Sequence, residues 1–249
     1  MAYRTYRSTY SFGFGYGLTS AVKNLLIANV AAFFFTVIGQ AVGLGSFIGW
    51  LMLTPYAVTH QLAVWQLVTY MFLHGGFFHI LFNMFALWMF GGELERTWGT
   101  RRFLHYYFLT GIGAGLFSVL ASPSSPIPTV GASGAIYGIL LAYGLLFPNR
   151  VIFIPILLII WIPIPAKFLV MILGGIAFVS ALSGPGDLVN HVAHLGGMAV
   201  GFLYLRGRPF YLDFRNRYYR WRRLRLQRQF AVYMKKRDRQ QRPRGPWVQ

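Results

Sequence analysis

The chain has no cysteine, which excludes disulfides, thiolate nucleophiles and cysteine-bound metal. Charge is scarce as well: 11% of residues are Asp, Glu, Lys or Arg, where a soluble domain carries about a quarter. Only five residues are acidic. No HExxH run is present, so the helical zinc-protease signature is missing. The first 20 residues, aromatic and glycine-rich with Arg4 and Arg7, contain no uninterrupted apolar stretch, and no cleavable signal peptide is expected. Alternating strands are absent too. Leu25 to Phe35 does not alternate, unlike the dyad repeat of a membrane β-barrel.

What the sequence has in abundance is apolar surface. Of 249 residues, 56% are hydrophobic, with a mean hydropathy of +0.50. Apolar runs approaching the roughly 20 residues needed to cross a bilayer recur along the chain. The expectation is an all-α polytopic membrane protein, a bundle of six transmembrane helices near 21–41, 76–96, 102–120, 132–147, 166–182 and 188–205. The stretch Val151 to Pro165 is cut by Pro155, Pro163 and Pro165, so it reads as a half-buried connector into the fifth span. Val42 to Trp65 reads as a long first loop, apolar enough to dip into the interface.

Basic residues orient this bundle. Arg4, Arg7 and Lys23 precede or open the first span; Arg96, Arg101 and Arg102 lie between spans two and three; Arg150 and Lys167 lie between four and five. The connections Val42–Trp65, Ala121–Val130 and Ser183–Asp187 carry no Lys or Arg. Both termini are therefore expected in the cytosol: residues 1–20 as a short segment, 21–206 as the membrane domain, and 207–249 as a basic tail. Fifteen of the 23 Lys+Arg lie from Arg206 to Arg244, interleaved with Tyr211, Phe214, Tyr218, Tyr219 and Trp221. That pattern suits an anionic headgroup layer. Nucleic-acid binding is the alternative for so basic a tail, and none is expected because a juxtamembrane position already accounts for the charge.

Orientation brings scattered polar residues to one level. His79 and Asn83 fall in the first two turns of span two, Ser133 in the first turn of span four, and His191 and His194 in the first two turns of span six. All three spans run inward. Intramembrane polar groups face the bundle interior or a water-filled cavity. Gly131 and Gly134 flank Ser133; Gly134 with Gly138, and Gly197 with Gly201, give small-residue faces that let helices touch. Such a contact would bring the Ser133 hydroxyl to the His194 imidazole, the arrangement of a nucleophile and its base. Free N–H groups of Ala132 and Ser133 at the helix start, with His79 and Asn83, could complete an oxyanion hole. The nearest carboxylate in sequence, Asp187, suits a helix N-cap. The expectation is a Ser–His dyad with no third member.

Three ordered motifs then resemble the rhomboid family of intramembrane serine proteases: His74-Gly-Gly-Phe-Phe-His79-Ile-Leu-Phe-Asn83, Gly131-Ala-Ser133-Gly-Ala-Ile-Tyr137, and His191-Val-Ala-His194-Leu-Gly-Gly197-Met-Ala-Val-Gly201. Gly92-Glu93-Leu94-Glu95, Gly99 and Pro148-Asn149-Arg150 also look like family sequence. The resemblance covers about Asn24 to Leu205. It implies a six-helix core that cleaves transmembrane segments of other proteins, with Ser133 as nucleophile, His194 as base, His79 and Asn83 as oxyanion donors, and Tyr137 packed on the His194 ring. His191 is read as a structural residue lining the cavity and His74 as an interfacial or loop-anchoring residue. Glu93 and Glu95 are expected to pair with Arg96, Arg101 or Arg102. No cofactor or metal is expected. The implied partners are single-span membrane-protein substrates and the lipid bilayer, and the implied location is a bacterial plasma (inner) membrane. Two alternatives stand: a zinc site built from the outer-face histidines, and an inactive rhomboid-like protein that binds membrane clients without cutting them.

Overall fold

The computed structural model describes residues 17–156, 160–182 and 191–207, together with residues 223, 225, 227, 230 and 234. The expectations for residues 1–16, for Asp187 and the loop from Ser183, and for most of the tail lie outside the described residues. The chain divides into two compact units, Met1–Tyr204 and Leu205–Gln249. In the second, every described residue is helical.

The apolar runs form helices where the sequence places them. These are α1 (Ser20–Ala41), followed by three short helices α2 (Gly45–Leu51), α3 (Pro55–His60) and α4 (Gln66–Thr69), and a single 3-10 turn at Tyr70–Phe72. Next come α5 (Phe77–Ala86) and α6 (Gly92–Trp98), joined by a π-helical turn at Leu87–Gly91, then α7 (Thr100–Ala121) and α8 (Ser133–Leu146). The strands β1 (Val151–Ile156) and β2 (Ile160–Pro165) precede α9 (Ala166–Leu182), and α10 covers residues 191–207. Gly99, at φ +80°, makes the reversal from α6 into α7, a conformation that glycine alone adopts without cost.

Three helices, Ser20–Ala41, Phe77–Trp98 and Thr100–Ala121, are long and apolar enough to cross a membrane. The 14 residues of α8 span about 21 Å at 1.5 Å per residue, short of the ~30 Å hydrocarbon layer.

Two sequence expectations are corrected. The fold is mostly helical but not all-α, because Val151–Ile156 and Ile160–Pro165 pair as the antiparallel arms of a hairpin, in register Val151↔Pro165 through Ile156↔Ile160. Its prolines leave the paired positions free, as shown below. The first loop is likewise helical. Its short helices are held from outside: Trp50 O accepts from both Trp65 Nε1 and Gln66 Nε2, and Thr69 Oγ1 donates to Leu51 O. Trp50 and Trp65 stack at 5.1 Å.

The core centres on α7, where Phe103, Tyr106 and Tyr107 are fully buried. Tyr106 donates to Gly138 O on α8 (2.8 Å), and Tyr70 donates to Gly111 O on α7 (2.6 Å). At one end of the bundle, the Glu95 carboxylate of α6 accepts from the Ala21 and Val22 N–H groups that open α1 (2.9 and 3.0 Å) and from Thr100 Oγ1 (2.6 Å). Glu93 pairs with Arg150 (2.8 Å) and accepts from Tyr143 (2.8 Å). Glu93 thus takes Arg150, an arginine distant from it in sequence. Glu95 instead meets free N–H donors at a helix start, where the dipole favours an anion.

Candidate active site

Ser133 begins α8, where the chain leaves a loop pinned by its neighbours. Leu53 and Thr129 exchange backbone bonds (3.0 and 2.8 Å), and Gly131 N–H donates to Tyr70 O (2.9 Å). Gly131 then turns the chain at φ +125°. The first loop therefore fixes the serine from one side. From the other side, α10 brings His194, 61 residues further on, with Nε2 at 2.8 Å from Ser133 Oγ. Tyr137, one turn along α8, stacks on the imidazole at 4.2 Å and 6°, which fixes the ring plane. His191 meets the same ring edge-on at 5.7 Å.

His194 is 5% exposed, and its Nδ1 has no hydrogen-bond partner among the described residues. With Nε2 aimed at a hydroxyl, the tautomer suited to accepting the serine proton carries hydrogen on Nδ1. Among the described residues no carboxylate orients it, and no three His, Asp or Glu side chains gather as a metal ligand set.

His79 approaches the turn that leads into the serine. A Cβ on Gly131 would fall 2.8 Å from His79 Nε2 and 3.6 Å from Ser133 Oγ, so only glycine lets the imidazole come this close. His79 Nδ1 accepts from the Gly75 N–H (3.4 Å), which assigns the proton to Nε2 and makes that atom a donor toward the serine side. Asn83 is buried, and its Nδ2 donates to His79 O (2.8 Å); the amide keeps a second N–H. As the first residue of α8, Ser133 has an N–H with no intrahelical acceptor, and Ala132 precedes it as the cap. His74 packs edge-on against His79 at 5.1 Å, and its Nδ1 faces Phe72 O. Burial first, then the neighbouring His79, lowers the His74 pKa from 6.5 to about 4, so His74 is neutral at neutral pH.

The glycines divide between two contacts where sequence suggested one. Gly197 of α10 lies directly on the Gly134 carbonyl of α8, with no room for a side chain. One turn lower, α7 intervenes. Gly138 faces Thr110, and Gly201 faces the Tyr106 hydroxyl that bonds Gly138 O. Sequence reasoning missed Tyr70 and Tyr106, the two tyrosines that bind helix carbonyls around the site. The available signal was Gly111 and Gly115, one turn apart on one face of α7, a close-packing pair with no partner assigned.

The rhomboid-domain family profile matches residues 61–207, a stretch that contains all three motifs. The chain belongs to the rhomboid family. It is 36% identical over 140 residues to "Rhomboid protease GluP" of Bacillus subtilis, covering 55% of this chain and 25% of that protein. It is 35% identical over 141 residues to "Putative rhomboid protease YdcA" of the same organism, covering 56% and 64%. The yeast "Rhomboid protein 1, mitochondrial" matches at 36% over 138 residues, covering 53% and 38%. This rhomboid thus spans less than two thirds of the length of these curated relatives.

Proposed function

We propose that this rhomboid is an intramembrane serine endopeptidase that cuts the transmembrane segments of single-span membrane proteins. The observation that carries the reading is the 2.8 Å bond between His194 Nε2 and Ser133 Oγ, beneath a stacked Tyr137. Ser133 Oγ attacks the scissile carbonyl carbon while its proton passes to His194 Nε2. The oxyanion is received by His79 Nε2–H, Asn83 Nδ2–H and the Ser133 and Ala132 N–H groups. The C–N bond then breaks, and the proton leaves with the amine. Water, activated by the same imidazole, hydrolyses the acyl-enzyme and returns the serine.

Six spans with both termini cytosolic agree with the basic residues: Lys23, Arg96, Arg101, Arg102, Arg150 and Lys167 lie near the end where Glu95 caps α1 and Glu93 meets Arg150. Ser133 then lies below the outer face, at the top of a helix too short to cross, where water can reach it. Residues 1–20, 21–206 and 207–249 are taken as a cytosolic segment, the membrane domain and a tail on anionic lipid. The host membrane is taken as a bacterial plasma membrane. Substrate helices must unwind to present a peptide bond, so Gly, Pro or polar residues in their spans favour cutting.

The test is purified protein incubated with model single-span substrates, wild type beside Ser133→Ala and His194→Ala. Cleavage by wild type alone is expected. Inactivity of wild type on several substrates would favour client binding without cutting, and cleavage by Ser133→Ala would rule out the nucleophile. Chelator-sensitive activity with stoichiometric zinc would favour a metal mechanism.

A further inference from the structure

From Val151 to Pro165 no residue carries an ionisable, amide or hydroxyl side chain, yet the segment forms a paired hairpin. Its register explains how. Ala166 N–H donates to Arg150 O, so 150/166 is a hydrogen-bonded pair. The alternation of antiparallel pairing then makes Ile152↔Ile164, Ile154↔Ile162 and Ile156↔Ile160 the bonded pairs. The outward-pointing positions are Val151, Phe153, Pro155, Trp161, Pro163 and Pro165. Every proline of the hairpin falls on this outward set, so three of its six outward N–H donors do not exist. On β2 only Trp161 retains one.

The side chains alternate with the same parity. Ile152, Ile154, Ile162 and Ile164 share one face, and Val151, Phe153, Pro163 and Pro165 share the other. A soluble two-stranded hairpin turns polar residues to water on one side; this one has none to turn. Ile152 is buried at the root, while Ile162 and Pro163 are exposed.

We infer that the β1–β2 hairpin binds the lipid bilayer, lying in the headgroup–acyl boundary of the leaflet at the Arg150 and Lys167 end of the bundle. Three observations select lipid over a protein partner. First, the proline-lined edge of β2 cannot accept an added strand, because strand addition needs the donors that proline lacks. Second, α9, which follows the hairpin directly, also exposes apolar side chains, Phe168, Met171, Ile172 and Ile176. Third, cations stand at both roots. Arg150 is joined to Glu93, and Lys167, exposed and bonded to Asn149, has no carboxylate partner among the described residues; anionic headgroups suit both. Depth follows from the backbone. Outward backbone groups such as the Val151 N–H and carbonyl call for hydrogen-bond partners, which the acyl core cannot supply and the boundary can.

This inference rests on the membrane-embedded reading above but not on catalysis. The absence of native cysteine allows its test: Ile154→Cys and Ile162→Cys, each labelled with an environment-sensitive fluorophore in full-length protein reconstituted into phosphatidylcholine–phosphatidylglycerol vesicles. Ser124→Cys in the opposite loop reports water, and Met171→Cys on α9 reports lipid. Labels at 154 and 162 should be quenched by doxyl lipid carrying its spin label near the headgroup and protected from iodide, resembling Met171 and not Ser124. Quenching by iodide without effect of doxyl lipid would overturn the inference. Protection from both quenchers would overturn it too, because a protein surface would then cover the face. Unchanged thermal unfolding of each labelled protein certifies the fold, and cleavage measured on the same samples separates failure of this inference from failure of the proposed activity.

Discussion

Two glutamates two residues apart on α6 should respond very differently to loss of charge. Glu95 is 4% exposed and accepts three hydrogen bonds, two of them from the N–H groups that open α1. In Glu95→Gln one oxygen becomes an NH₂ that faces a donor, so one buried N–H loses its acceptor while the negative charge at the helix start disappears. A charge-assisted bond is worth about 1.5–3 kcal/mol, and an anion at a partly buried helix start adds up to ~2 kcal/mol. The terms overlap, and about 3 kcal/mol is the expected loss, a large share of the ~5–15 kcal/mol that keeps a domain folded. Glu93, with a side chain 23% exposed, pairs with an Arg150 side chain 37% exposed. Solvent screening limits such a pair to about 1 kcal/mol. Thermal or denaturant unfolding in one detergent, wild type beside Glu95→Gln and Glu93→Gln, reads the difference. Equal losses in the two variants, or no loss in Glu95→Gln, would refute the capping argument.

Other expectations follow from the same geometry. Asn83→Ala and His79→Ala should each lower kcat by roughly 10²–10³ with unfolding unchanged, as for loss of an oxyanion donor, measured by initial rates of substrate cleavage. Gly197→Ala should abolish activity and destabilise, because its Cβ would overlap the Gly134 carbonyl, whereas Gly175→Ala, with open space around it, should be neutral or stabilise by about 0.5–1 kcal/mol. Tyr137→Phe keeps the ring that stacks on His194 and should retain activity; Tyr137→Ala should lower kcat more than it changes KM. Tyr106→Phe should weaken the α7–α8 junction by about 1 kcal/mol, read by unfolding.

Much of the helical framework was legible because lipid-facing helices show long apolar runs. Ser133 and His194 were findable as polar exceptions within such runs, each beside glycine. What stayed hidden depended on partners distant in sequence. Glu95 was read against nearby arginines, yet the two backbone donors it accepts from lie 73 and 74 residues away. The helices of the first loop are too short to hold alone and rest on carbonyl bonds such as Trp65 to Trp50. The hairpin was obscured by its prolines, which count against a strand until their shared parity is noticed. Tyr70 and Tyr106 look in sequence like ordinary aromatic filler; only the carbonyls they reach give them a role.

The 61-residue separation of Ser133 and His194 has a consequence for the making of the protein. A ribosome completes α8, with its serine and pinned loop, well before α10 exists. Until α10 sets Gly197 against Gly134, the hydroxyl has no imidazole beside it, so on the proposed reading the half-made chain could not yet cut the proteins around it. On that reading, the docking of α10 is also the step that arms the molecule.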